Sequence, residues 1–239
     1  MKQKTKINAP FFEIGPKNYL YGKDICDLAK AADEAAAKYA VDVIFTAPFI
    51  NIVEIAENTS HLHVFAPHMD AKPVGRGLAN ILPESIKDAG AQGVMLNHSE
   101  KPLEIQELID AINRAEKVGL MTLVCASSMI ETKTIAMMSP DLIVSEPAEL
   151  IGTGQAADLR YVRQVVETIT TVNPDIGVMV AGGVATGKDA YNIIYAGADA
   201  TGSSSGIVLA DNPEQRIHEM LAAVEQAWND RNYGRAANK

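Results

Sequence analysis

Residues 103–126 read LEIQELIDAINRAEKVGLMTLVCA. Leu103, Leu108, Ile109 and Ile112 fall on one helical face, with Glu104, Gln106, Glu107 and Arg114 mostly elsewhere. That pattern predicts an amphipathic helix over 104–118. Gly119 follows as a helix stop in the C′ position. The run 122–126 is short and apolar, as a strand buried on both faces should be. Another such run, 93–96, precedes the helix. Strand, helix, strand in this order is a βαβ unit, and βαβ units build parallel sheets.

The same alternation fills the chain. Strands are expected at 11–14, 41–47, 61–66, 93–96, 122–126, 142–145, 177–181 and 200–202, which is eight. Helices are expected near 23–39, 50–58, 83–89, 104–118, 129–138, 158–172, 187–196 and 212–230. Eight units favour closure into a single (β/α)8 barrel, an α/β TIM barrel, over an open doubly wound sheet. The 239 residues suit one such barrel, for which roughly 250 is typical. No linker or composition shift marks a second domain, so residues 1–239 read as one domain with a polar tail, fraying after about residue 228.

Composition narrows the function. Hydrophobic residues make up 47% and charged residues 21%, a globular balance. The net charge of −9 argues against a nucleic-acid partner. No apolar run approaches the ~18 residues of a membrane span, and the N-terminal stretch has no signal-peptide core. Cys26 and Cys125 form no spaced pair, which fits a reducing, cytoplasmic setting.

A barrel builds its active site at the C-terminal ends of its strands. There stand Gly15-Pro16-Lys17-Asn18, Asn97-His98-Ser99-Glu100, Glu146-Pro147 through Gly152-Thr153-Gly154, Ala181-Gly182-Gly183 and Gly202-Ser203-Ser204-Ser205-Gly206. A base, an electrophile, a cation and three glycine-rich turns converge on one rim. Taken singly, Glu146 could be a structural carboxylate, His98 an ordinary rim histidine and Lys17 a surface lysine. His61, His63, His68 and His218 show no metal-ligand spacing, so no metal is expected. Cys125 reads as a small buried hydrophobe.

The pattern Glu146-Pro-x-x-x-Ile151-Gly-Thr-Gly154, with His98-Ser-Glu100 before it, closely resembles the triosephosphate isomerase family. The segment AGAQGVMLNHSEKP (89–102) resembles its compact archaeal-type branch. The resemblance runs from about residue 11 to residue 228. It implies an isomerase without cofactor, interconverting dihydroxyacetone phosphate and glyceraldehyde 3-phosphate. It implies Glu146 as the proton-shuttling base and His98 as the group that polarises the substrate oxygens. Lys17 becomes an electrostatic partner of the substrate, and Glu100 the carboxylate close behind the histidine. Gly152, Gly182, Gly183, Ser204 and Ser205 become the phosphate grip. It also implies a homo-oligomer, dimer or tetramer.

The chemistry asks for these residue types. Removing a weakly acidic C–H proton needs a base and a donor for the developing enediolate. Neutral imidazole near a helix N-terminus can be that donor, as the resemblance to this family implies. Lys101-Pro102-Leu103-Glu104 reads as such a helix opening, with Pro102 near N1. Residues 148–154, between a proline and Gly-Thr-Gly, read as a short rigid flap with two hinges, closing to exclude water.

Two departures from the family pattern stand out. The family shows Asn-x-Lys at the first strand, where this chain has Gly15-Pro16-Lys17. Its third loop carries Thr-Gly near a tip that reaches a partner subunit, where this chain has Gly75-Arg76-Gly77-Leu78-Ala79-Asn80, and Pro67 precedes His68 where glutamine is expected. Gly15 leaves space beside the reacting carbon. This keeps open an isomerase of a four-carbon ketose phosphate, such as erythrulose phosphate. From other classes come a Schiff-base aldolase using Lys17 and a non-catalytic phosphate-binding barrel.

Overall fold

The computed structural model describes residues 5–236, with side chains as far as Tyr233. Eight parallel strands close into a barrel in chain order: β1 (Phe11–Ile14), β2 (Asp42–Thr46), β3 (Leu62–Ala66), β4 (Gly93–Leu96), β5 (Met121–Ala126), β6 (Leu142–Ser145), β7 (Gly177–Val180) and β8 (Ala200–Ser203). The last strand pairs with the first, Phe11 opposite Ala200 and Glu13 opposite Gly202. Around them lie α1 (Lys23–Ala36), α2 (Ile52–Asn58), α3 (Pro83–Asp88), α4 (Ile105–Val118), α5 (Met129–Ala136), α6 (Leu159–Val172), α7 (Gly187–Ala196), α8 (Ser205–Val208) and α9 (Pro213–Ala236). Every expected strand forms, within two residues of its expected bounds.

Alternation along the strands sorts the side chains into two cores. Inside the barrel, Phe11, Ile44, Phe65, Met121, Leu123, Cys125, Leu142, Val144 and Met179 pack together. Between strands and helices, the alternate residues such as Phe12, Phe45, Val64, Val124 and Ile143 meet α-helical Ile25, Leu108, Val162, Ile193 and Ile217. On α4 the buried residues are Leu108, Ala111, Ile112 and Ala115, and Gly119 takes the left-handed conformation, φ 80°, that ends the helix.

Some element ends differ from expectation. Glu104 is the N-cap of α4, in a reciprocal capping box with Glu107. Pro102 therefore lies before the cap instead of at N1. The short α8 after β8 was not expected. The last helix continues past Trp228 to Ala236. Arg231 explains this: it is buried, stacks on the Trp228 ring at 4.2 Å and donates to the carbonyls of Ile194 and Ala198 at 2.9 and 2.7 Å. Ile194 is in the last turn of α7 and Ala198 just beyond it, so the cation serves the end of one helix while tying it to another. Residues 237–239 of the expected tail lie outside the described residues. Among the described residues no helix is long and apolar enough to cross a membrane.

Candidate active site

Glu146 follows the last residue of β6. Its N–H donates to Ala126 O of β5 at 2.9 Å, extending the ladder by one rung and fixing where the side chain leaves the barrel. Ser145 points outward and is sealed: its hydroxyl bonds Thr132 of α5 at 2.9 Å and Tyr161 of α6 at 2.7 Å. Two helices are thereby pinned behind the strand end that carries Glu146. Burial raises the Glu146 pKa above the usual carboxylate value; the Lys17 charge opposes this and the Glu100 charge adds to it.

His98 stands two residues beyond β4. Asn97 before it adopts φ 58°, a conformation asparagine tolerates better than most. Its side-chain amide donates to Cys125 O and its side-chain oxygen accepts from Leu103 N, each over 3.0 Å. The loop is thus held from both sides. The Glu100 N–H donates to His98 Nδ1 at 3.1 Å. Nδ1 must then be the unprotonated nitrogen, which leaves Nε2 with the proton. Burial and the Lys17 charge push the His98 pKa down, against Glu100. The expected cause of a neutral imidazole, a helix opening close behind it, gives way to another. Since α4 begins only at Ile105, neutrality rests on burial, on Lys17 and on the Glu100 amide.

Lys17 adopts φ 49°, a left-handed conformation costing an ordinary residue on the order of 1–3 kcal/mol. Its ammonium meets Glu100 Oε1 at 2.7 Å. The same cation acts on His98 and on Glu146. The structure therefore brings Lys17, His98, Glu100 and Glu146 into one electrostatic group. The Lys17 Nζ is thus engaged by Glu100.

On the glycine side, a Cβ at Gly182 would lie 3.2 Å from Glu146 Cγ, so this turn passes directly over the base. A Cβ at Gly183 would lie 2.1 Å from Gln155 O, so the exit of the flap rides on that glycine. The flap itself is a 3-10 turn, Ala148–Leu150, followed by exposed Gly152, Thr153 and Gly154, with Thr153 Oγ1 donating to Leu150 O at 2.8 Å. Loops seven and eight are fastened together, Ser203 Oγ donating to Val184 O at 2.7 Å. Beside that bond Ser204 Oγ is buried with no hydrogen-bond partner among the described residues, and Ser205 opens α8.

Two residues of the rim were not singled out from the sequence. Asn97 is one. The other is Glu13, inside the barrel on β1. It is buried, its carboxylate accepts from Thr46 Oγ1 at 2.5 Å, and its pKa is pushed up to about 7, chiefly by burial. A Cβ at Gly15 would stand 2.8 Å from Glu13 Oε1. The space expected beside Gly15 is therefore occupied, which removes the physical reason for a fourth substrate carbon. A lone charge in an otherwise apolar strand, Phe-Phe-Glu-Ile, was the available signal.

The remaining histidines are structural in their contacts. His63 Nδ1 lies 2.7 Å from Gln92 Oε1, and His68 lies 3.6 Å from Asp70. His61 is exposed and precedes β3. Among the described residues no group of three or more His, Cys, Asp or Glu side chains could hold a metal ion.

A family model described as "Triosephosphate isomerase" matches residues 14–211. The chain belongs to the triosephosphate isomerase family. Relatives named triosephosphate isomerase include one from Methanobacterium bryantii, 32% identical over 90% of this chain and 97% of its own length. One from Sulfurisphaera tokodaii is 33% identical, covering 90% and 95%. A third, from Methanocaldococcus jannaschii, is 33% identical, covering 83% and 91%. The protein is thus an isomerase of the (β/α)8 class, similar to archaeal members as the 89–102 segment implies.

Proposed function

We propose that the chain interconverts dihydroxyacetone phosphate and glyceraldehyde 3-phosphate through an enediolate. The observation that carries this reading is the Glu100 N–H on His98 Nδ1, at 3.1 Å. It leaves a neutral imidazole with its only proton on Nε2, the donor that an enediolate oxygen needs. The carboxylate of Glu146 takes the C1 proton of the ketose. The electron pair moves onto the carbonyl oxygen, which His98 Nε2–H stabilises; the C1 hydroxyl proton passes to that oxygen, the C1–O bond becomes the new carbonyl, and the proton returns from Glu146 to C2. Lys17, paired with Glu100, offsets the negative charge that develops. The raised Glu146 pKa brings the base nearer to the acidity of the carbon it serves.

Gly152, Gly182, Gly183, Ser204 and Ser205 form the phosphate grip in this reading. Support comes from the buried hydroxyl of Ser204, without a partner among the described residues, and from the contact of Gly183 with the flap. Flap closure over bound phosphate would exclude water and hold back phosphate elimination. The small phosphorylated sugar is the partner, and the setting is glycolysis and gluconeogenesis in the cytoplasm. A homo-oligomer is supported by the third loop, whose exposed tip carries Val74 and Leu78 on a stem closed by paired Asp70 and Ile81.

A coupled assay on the two triose phosphates and a panel of four- and five-carbon ketose phosphates tests the reading. Triose phosphate turnover with the larger ketoses inert or much slower is expected. Preference for a larger ketose, or no turnover of triose phosphate, would overturn it.

A further inference from the structure

We propose that Glu13 is a substrate-contacting residue: its carboxyl, rising through the barrel mouth in the place of a side chain at position 15, gives a hydrogen bond to the reacting end of the substrate. This rests on the isomerase reading above and adds a residue to it.

The geometry has three parts. First, Glu13 lies on the inward face of β1, two residues beyond Phe11, which packs in the barrel core. Room for it is made by glycine on both sides. A Cβ at Gly202 of the neighbouring strand would stand 3.0 Å from Glu13 Cβ, and one at Gly15 would stand 2.8 Å from Oε1. A Cβ at Gly15 would displace the carboxyl from this position, and one at Gly202 would meet Met179 Cε and the Glu13 carbonyl oxygen at 2.6 and 2.7 Å. Second, the carboxyl is only half satisfied. Thr46 of β2 serves Oε1, while Oε2 has no hydrogen-bond partner among the described residues and is not sealed from the mouth. An oxygen open to the mouth and not engaged by the protein is available to a bound molecule. Third, the charges around it belong to the reaction. Lys17 from the first loop and Glu146 from the sixth act on it, and Glu13 and Glu146 together act on Cys125 at the end of β5. Toward β8 it pairs with Gly202, and the space a Cβ would take there is filled by Met179 of β7 and Glu13 itself. His98 and Glu100 reach it only through Lys17 and Glu146.

Protonation decides what such a carboxyl can do. Ionised, it would sit beside an ionised base and a developing enediolate, opposing both. As the acid it donates an O–H to a substrate oxygen, the service an amide N–H would give from position 15. Burial and the Glu146 charge favour the acid, and its pKa of about 7 makes that form dominant below neutrality. The less buried Glu146 stays available as the base. No proton leaves Glu13 in the cycle; it donates a hydrogen bond and retains its proton.

The test is the pH profile of kcat/KM for wild type, Glu13→Gln and Glu13→Ala, once wild type is shown to turn over triose phosphate. If wild type is inert, the isomerase reading fails and this inference with it. If wild type is active, the variants decide this inference alone. Wild type should lose activity as pH rises through about 7. Glutamine keeps a neutral donor at every pH. Glu13→Gln should be slowed by less than about tenfold at pH 6, and its ratio to wild type should climb above pH 7. Ionisation of the substrate phosphate cancels in that ratio. Glu13→Ala should lose on the order of 10²-fold, and adding Gly15→Asn should recover most of it. A pH-independent ratio for Glu13→Gln would overturn the proposal, as would Glu13→Ala within about twofold of wild type. Should Glu13→Ala fail to fold, the glutamine ratio alone decides.

Discussion

β1 and β6 each deliver a glutamate to the same barrel mouth, and they deliver it differently. Glu13 is a residue of its strand, held by ladder pairing on both sides and by Thr46. Glu146 lies one residue past its strand, beside the flap and under Gly182. Burial raises both pKa values, and Lys17 lowers both. What differs is depth and attachment. The deeper carboxyl within the strand is suited to keeping its proton, while the shallower one beside an exposed loop is suited to exchanging it. Identical side chains acquire different roles from their position along a strand, not from their chemistry.

The contrast is most sharply broken at the base. Glu146→Gln keeps the shape and removes the proton acceptor. It should lower kcat by on the order of 10²–10⁴ with little change in KM, since base catalysis is worth that much. Initial-rate kinetics at saturating triose phosphate measure it. Residual activity above about a tenth of wild type would mean that Glu146 is not the base and that the two glutamates have been assigned the wrong way round.

Stability should separate them next. The folded protein holds the Glu13 proton more tightly than the unfolded chain, so ionising Glu13 costs stability. Its contribution is fully present below pH 4.5 and is lost as pH rises toward about 7. A rise from 4.5 to about 7 corresponds to roughly 3 kcal/mol at most. Glu13→Gln should remove that slope from denaturant unfolding measured between pH 5 and 8. Glu146→Gln should remove less, because Lys17 is the first opposing influence there and the side chain is shallower. Equal slopes for the two variants would erase the distinction.

The barrel was legible because its signal is repeated. Eight apolar runs alternating with periodic helices leave few other folds, and residues such as Leu108, Ala111, Ile112 and Ala115 obey one simple period. Glu146 and His98 were singled out through a motif. What escaped depended on contacts between distant residues. Asn97 acts by joining Cys125 to Leu103, and no local pattern announces that. Gly15 by itself reads as lost substance, and only the fold shows that Glu13 fills its place. The end of α9 read as polar because Arg231 and its neighbours are polar. The burial of Arg231 goes with bonds to the carbonyls of Ile194 and Ala198, far away in sequence.

The smallest expected effect concerns how the two strand ends move. The flap 148–154 is exposed, held by Thr153 to its own turn and by the contact of Gln155 with Gly183. β1 has every residue buried. Binding of inorganic phosphate at the glycine and serine turns should draw the flap down through Gly183, slowing amide exchange over 148–155 by on the order of tenfold. Exchange over 11–14 should not change, because that strand is already protected. The coupling can be cut at one atom. Gly183 has φ 69°, and an added Cβ would meet the Gln155 backbone at 2.1 Å. Gly183→Ala must therefore displace either the turn or the flap exit, since backbone cannot yield as a flexible side chain would. Its flap should exchange fast with or without phosphate, while exchange in β1 stays slow. If wild-type exchange over 148–155 were the same with and without phosphate, the flap would be a fixed loop. Glu146 would then share the rigidity of Glu13, and only depth would distinguish them.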